Sequence, residues 1–187
     1  TREQLRAWVE YARREKALLL VDNVYEAFIS TSNIPKTIFE IEGAKEVAIE
    51  VRSFSKSAGF TGLRCSYTVV PHALKVRDAG AVHALHDLWK RRVATKSNGV
   101  SYPIQKAAAS IYSPKGQKEV REIVQSYSER ARFLRDGLQH LGYTVYGGAD
   151  APYIWCKTPA KMNSWEFFDL LLEKAHLVAT PGQGFGP

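Results

Sequence analysis

Lys56 stands in a run of small hydroxylated residues and glycines, Ser53-Phe54-Ser55-Lys56-Ser57-Ala58-Gly59-Phe60-Thr61-Gly62-Leu63-Arg64. A primary amine can condense with an aldehyde to an imine. Hydroxyls, backbone N–H groups and an arginine can hold a phosphate. Together they suit an aldehyde cofactor that carries a phosphate. An amine desolvated among such neighbours, just after an apolar strand, becomes a usable nucleophile and base. The plain alternatives are a solvated lysine, serines that cap a loop, and an arginine that is only a surface charge. The place of Arg64 at the start of an apolar strand favours an anion clamp, and the glycines and serines around Lys56 favour chemistry.

Asp22 and Tyr25 form the second cluster. Asp22 ends the apolar run Ala17-Leu18-Leu19-Leu20-Val21, and ligands of α/β proteins bind at the carboxyl ends of such strands. A carboxylate there can keep a pyridine nitrogen protonated and strengthen the ring as an electron sink. Tyr25 can reach a phenolic oxygen on the same ring. Taken singly, the aspartate reads as a loop cap and the tyrosine as packing; coupled to the Lys56 segment, both read as functional.

The elements that must position these residues follow from periodicity. Thr1 with Gln4 is a capping box that opens a helix to about Lys16. Ala17–Val21, Glu46–Val51 and Cys65–Val70 read as strands, the first buried on both faces. The expected fold is α/β with a mostly parallel sheet. The stretch from His72 to Lys96 reads as helical and is broken by Asn98-Gly99. Tyr102-Pro103 leads a second helix through Ala109. A long amphipathic helix runs from Gly116 to Leu141 and ends at Gly142. Tyr143–Tyr146 and Tyr153–Lys157 read as strands, Asn163–Ala175 as a helix and Leu177–Ala179 as extended. A boundary near Ser113-Pro114-Lys115-Gly116 divides a large domain, 1–115, from a smaller α/β domain, 116–187. Both ends read as cut, which suggests part of a longer enzyme.

The bulk composition agrees with a globular enzyme. The 187 residues are 45% hydrophobic and 24% charged, with a formal charge of +7. The basic clusters Arg13-Arg14-Glu15-Lys16 and Lys90-Arg91-Arg92 lie on helical stretches with acids interspersed, and read as solvated faces, with nucleic-acid binding as the minor alternative. Cys65 and Cys156 give neither a disulfide framework nor metal spacing, so the expected compartment is the reducing cytoplasm. No apolar run approaches the length of a membrane span. His72, His83, His86, His140 and His176 show no ligand spacing; the i, i+3 pair His83 and His86 lacks further ligands.

Asp22-x-x-Tyr25, the Ser53–Arg64 segment, Tyr67-Thr68-Val69-Val70-Pro71 and Ser97-Asn98-Gly99-Val100-Ser101 together resemble the fold-type I pyridoxal-phosphate aminotransferases of the aspartate aminotransferase superfamily. Within it the chain looks closest to the LL-diaminopimelate aminotransferase family, from about Ala17 to Pro187. The resemblance implies pyridoxal 5′-phosphate as cofactor. It makes Lys56 the residue that bonds the aldehyde, Asp22 the partner of the pyridine nitrogen and Tyr25 that of the ring oxygen. Ser53, Arg64 and Ser55 would hold the phosphate.

Asn98 would reach substrate in a neighbouring subunit of a homodimer, although Asn98-Gly99 reads equally as a turn. The implied reaction passes an amino group between an amino acid, LL-2,6-diaminopimelate, and 2-oxoglutarate in lysine biosynthesis. The family's glycine-rich phosphate loop, ring-stacking tyrosine and carboxylate-binding arginine match no residue here, so the expectation is that the 187 residues alone are inactive. The alternatives are another lysine-imine enzyme of this fold, such as a decarboxylase, a β-lyase or an aminotransferase for other amino acids, or a non-catalytic remnant that serves as a folded interaction module.

Overall fold

The computed structural model describes residues 1–159 and 161–186. It divides into two compact units. The first is Thr1–Ser128 with Ala149–Ala151; the second is Glu129–Gly148 with the described residues from Pro152 on.

In the first unit, α1 (Arg2–Glu15) opens on the capping box, with Thr1 Oγ1 accepting from the Gln4 N–H, and closes where Lys16 turns left-handed. The strand β1 (Leu19–Asp22) follows. A single-turn α2 (Ala44–Val47) leads straight into β2 (Ala48–Ser53), and another single turn, α3 (Phe54–Ser57), carries Lys56. Next come β3 (Ser66–Val69), β4 (Lys75–Asp78) and β5 (Ala81–Ala84). The helices α4 (Leu85–Lys96) and α5 (Tyr102–Ser110) complete this part. The long α6 (Pro114–His140) begins in the first unit and ends in the second. The second unit adds the antiparallel pair β6 (Val145–Gly147) and β7 (Ile154–Cys156), then α7 (Ser164–Ala175).

The main sheet has the order β1-β2-β3. β1 and β2 are parallel, but β3 returns antiparallel, so the expected parallel arrangement holds for one of the two pairings. The reason is the short link between β2 and β3. It holds a single helical turn and a loop but no full helix to carry a parallel crossover, and the Phe54 N–H donates to Cys65 O, which folds the chain straight back beside β2.

The core lies on one face of this sheet. Val9 and Ala12 of α1 pack with Ile38, Ile41, Ala44, Val47 and Ala48, and Leu19 and Val21 of β1 close the cluster. Each such aliphatic side chain contributes roughly 1.5–3 kcal/mol when fully buried. The expectation that β1 is buried on both faces is not met. Its burial alternates, and Leu20 is 71% exposed. A smaller cluster of Ile49, Val70 and Leu74, with Leu85 against it, covers part of that second face.

The stretch from His72 to Lys96 is helical only from Leu85. Before it, β4 and β5 form a hairpin in which Asp78 pairs with Ala81. Ala79 and Gly80 at its tip both have positive φ, 46° and 86°. Two successive positive-φ residues are the geometry of a two-residue turn whose twist matches its strands. Among the described residues, no helix is long and apolar enough to cross a membrane.

Candidate active site

Parallel pairing brings the two sequence clusters to one end of the sheet. Asp22 is in register with Val51, two residues before Ser53, and the Asn23 N–H donates to Val51 O at 2.9 Å. Asp22 and Lys56 therefore leave adjacent parallel strands at their carboxyl ends, where the peptide dipoles and loop N–H groups favour ligands. The Tyr25 ring lies beneath the amine: Lys56 Nζ is 6.0 Å from its centroid, the outer limit of a cation–π contact.

The rest of the segment is a tight knot. Ser53 Oγ accepts from the Ser55 N–H at 3.1 Å and so starts α3. Phe54 N–H donates to Cys65 O at 3.2 Å, which ties the two ends of the loop together and sets Ser66 opposite Ser53. Thr61 Oγ1 donates to Ser55 O, and Arg64 Nη1 donates to Thr61 O at 2.9 Å. Arg64 holds a left-handed φ of 56°, uncommon for a residue with a side chain. Lys56 is exposed, so this chain does not by itself supply the desolvated surroundings expected for it. The cause is local: α3 is a single surface turn, and the one large side chain of the loop after it, Phe60, packs on Phe54.

Asn98 stands apart. It is exposed, left-handed at φ 56°, and its N–H closes α4 onto Val93 O at 2.8 Å. Among the described residues, no hydrogen bond, ion pair or ring contact joins its side chain to the Lys56 segment.

Beside Ser53 opens a cavity of about 530 Å³ whose lining includes Glu26, Arg52, Ser53, Phe54, Tyr67 and Tyr112, but not Lys56, Asp22, Arg64 or Asn98. Two of its lining residues, Glu26 and Arg52, belong to an ionic cluster that sequence reasoning missed. Glu50, 1% exposed, accepts from Arg52 Nε at 2.6 Å, from Thr37 Oγ1 at 2.9 Å and from the Ile38 N–H at 2.9 Å. Arg52 also meets Glu26 at 3.3 Å and donates to Lys36 O at 2.9 Å. Burial alone would lower the affinity of Arg52 for its proton; the hydrogen bond and charge of Glu50, with Glu26 behind it, outweigh burial and raise its pKa. On the rim, burial, helped by a hydrogen bond with Tyr67, pushes the Tyr112 phenol up to about 12. The one available signal was the i, i+2 spacing of Glu50 and Arg52 in a strand, which puts both on one face.

The model of the aminotransferase class I and II family matches residues 1–187. The chain belongs to this family. It is similar to the LL-diaminopimelate aminotransferase of Methanosphaera stadtmanae, at 56% identity over all of this chain and 46% of that protein. Among solved structures, L,L-diaminopimelate aminotransferase from Chlamydomonas reinhardtii matches with a TM-score of 0.92 and 45% identity, over all of this chain and 45% of that one. The aromatic aminotransferase from Pyrococcus horikoshii OT3, at 24% identity and a TM-score of 0.83 over all of this chain and 48% of that one, shares the fold. The chain thus spans about half the length of the relatives it matches.

The fold is the aspartate aminotransferase-like one, of which this chain is a partial α/β domain. The family works with pyridoxal phosphate, and the donors gathered here fit that group in kind. An amine lies over an aromatic ring, a carboxylate sits at a neighbouring strand end, and the same short segment carries three serine hydroxyls and a guanidinium.

Proposed function

We propose that this chain is the lysine-bearing part of a pyridoxal-phosphate aminotransferase that moves an amino group between LL-2,6-diaminopimelate and 2-oxoglutarate in lysine biosynthesis. The observation that supports the reading is the parallel pairing of β1 with β2, from whose adjacent carboxyl ends Asp22 and the Lys56 turn emerge, with the Lys56 amine over the Tyr25 ring. The 56% identity to an LL-diaminopimelate aminotransferase supports the substrate.

The bound cofactor would supply an aldehyde for the substrate amine and a ring that absorbs the electron pair left when the α-proton departs. The residues of this chain do the rest. Lys56 would hold the aldehyde and, as a free amine, would take and return the proton at the substrate α-carbon. Asp22 would face the ring nitrogen and Tyr25 the ring oxygen. Ser53, Ser55 and Arg64 would hold the phosphate, the arginine as a planar double donor. Asn98 contributes to a neighbouring subunit's substrate site in a homodimer. The large domain closes near residue 115 and the small one follows. Exposed as it is here, Lys56 does not turn over substrate in the 187-residue chain alone.

The test uses pyridoxal phosphate and borohydride. Reduction followed by peptide mass mapping is expected to find the pyridoxyl group on Lys56 in the wild type and nowhere in Lys56→Ala. Labelling spread over other lysines, and unchanged in the variant, overturns the assignment. In protein of the relatives' full length, glutamate formed from LL-2,6-diaminopimelate and 2-oxoglutarate tests the substrates.

A further inference from the structure

Two histidines with no ligand spacing in the sequence meet in the fold. His72, in the turn after β3, and His86, in the first turn of α4, have ring centroids 3.8 Å apart at an interplanar angle of 38°. Asp87 joins them, and one ligand atom from each of the three lies within 4.8 Å of the other two. We propose that His72, His86 and Asp87 form a binding site for a divalent first-row transition ion, with Zn²⁺ as the probe.

Three features suit the group to that task. The first is the donor set: two imidazoles and one carboxylate are ligands such ions accept, with water free to take the fourth position of a tetrahedron. Bonds of about 2.0–2.2 Å require ligand atoms roughly 3.3 Å apart. The present spread closes to that by side-chain rotation of an exposed His72 and an exposed Asp87.

The second is orientation. His86 Nδ1 lies 2.9 Å from Val70 O. A carbonyl only accepts, so Nδ1 carries the proton and Nε2 keeps the lone pair that a metal needs. A backbone carbonyl holding the far nitrogen of a ligating histidine is a recurrent outer-shell arrangement. The third is a firm base. Val70 and Leu74 are buried, Leu85 packs on them, and the Leu85 N–H donates to Leu74 O at 3.0 Å. The Asp87 carboxylate makes no hydrogen bond or ion pair among the described residues, so ligation breaks no existing contact.

The hairpin β4–β5 lies between His72 and His86 in the chain. An ion held by these residues clasps the two ends of that hairpin at its base. Because imidazole must bind in its neutral form, binding weakens in acid. The site is independent of the Lys56 chemistry and needs no cofactor.

Calorimetric titration of the purified protein with ZnCl₂ in buffer free of chelators tests it. The expected result is one ion per chain. His72→Ala and His86→Ala each weaken binding at least tenfold, Asp87→Asn weakens it several-fold, and His140→Ala leaves it unchanged. Cu²⁺ in the same site should give an electron paramagnetic spectrum with coupling to two imidazole nitrogens, falling to one in His72→Ala. That variant alters an exposed side chain, so it tests the site even if His86→Ala fails to fold. Absence of stoichiometric binding, or binding and spectra unchanged by His72→Ala, overturns the proposal.

Discussion

Glu50 is the residue on which the sheet end depends most. Its carboxylate is withdrawn from water and neutralised by Arg52, with Thr37 and Ile38 supplying two further donors. Removing one partner of such a pair leaves an uncompensated charge in the interior, which costs more than the pair itself contributes. Arg52→Ala is therefore expected to destabilise the protein by about 3 kcal/mol in urea denaturation. Glu50→Gln combined with Arg52→Leu should recover part of that loss. A single-variant loss under about 1 kcal/mol would show the carboxylate to be solvated.

This cluster was illegible in the sequence because it depends on Thr37 and Ile38 folding over β2 from a distant loop. That Asp22 and the Lys56 turn lie at the ends of strands was legible, because each follows directly on a run of apolar, strand-forming residues. The exposure of Lys56 was not legible: local glycines and serines say nothing about what covers them.

At the scale of elements, the helices were read from their ends. The capping box at Thr1 and the glycine after α6 act through neighbours three to five residues away, so they need no knowledge of the fold. The hairpin β4–β5 was missed for the opposite reason. Its strands have four residues each, and the helical spacing of Leu85, Leu88 and Trp89 extends by accident back to Ala81.

Only the tip carries a local signal, in Gly80. Gly80→Val is expected to cost about 1–2 kcal/mol, the penalty for a left-handed backbone, since a Cβ there meets no atom within 4 Å. Ala79→Asn should act in the other direction, by roughly 0.5 kcal/mol, because Asn-Gly favours this turn. Urea melts of both variants check the two signs. Equal effects would mean that the turn contributes no strain.

At the scale of the molecule, charge governs the response to pH. The chain carries +7 at neutrality, so each carboxylate protonated in acid adds to its self-repulsion. Asp150 opposes that trend, because the fold holds its pKa down. Burial pushes its pKa up, but four donors outweigh it: the Ser30 and Thr31 N–H groups at 2.8 Å each, the Thr31 hydroxyl at 2.7 Å and the Ser30 hydroxyl at 3.3 Å. Its pKa is thus lower folded than unfolded. The stabilisation is complete above the ordinary aspartate value, about pH 4, and disappears as pH falls through the lowered one. Thermal melts between about pH 7 and pH 2 should show a loss of stability concentrated below about pH 4. Asp150→Asn should flatten that part of the curve and cost about 1–2 kcal/mol at neutrality. An unchanged profile in the variant would dismiss the role of Asp150.

Among the described residues β1 forms one margin of the sheet, with Leu20 bare to water on its face and Asp22 at its tip. A margin of that kind offers its spare amide groups to any extended strand that drifts past. Stickiness and ligand access are thus written into the same four residues. Any substitution meant to discourage clumping along β1 must leave the geometry of its last carboxylate untouched.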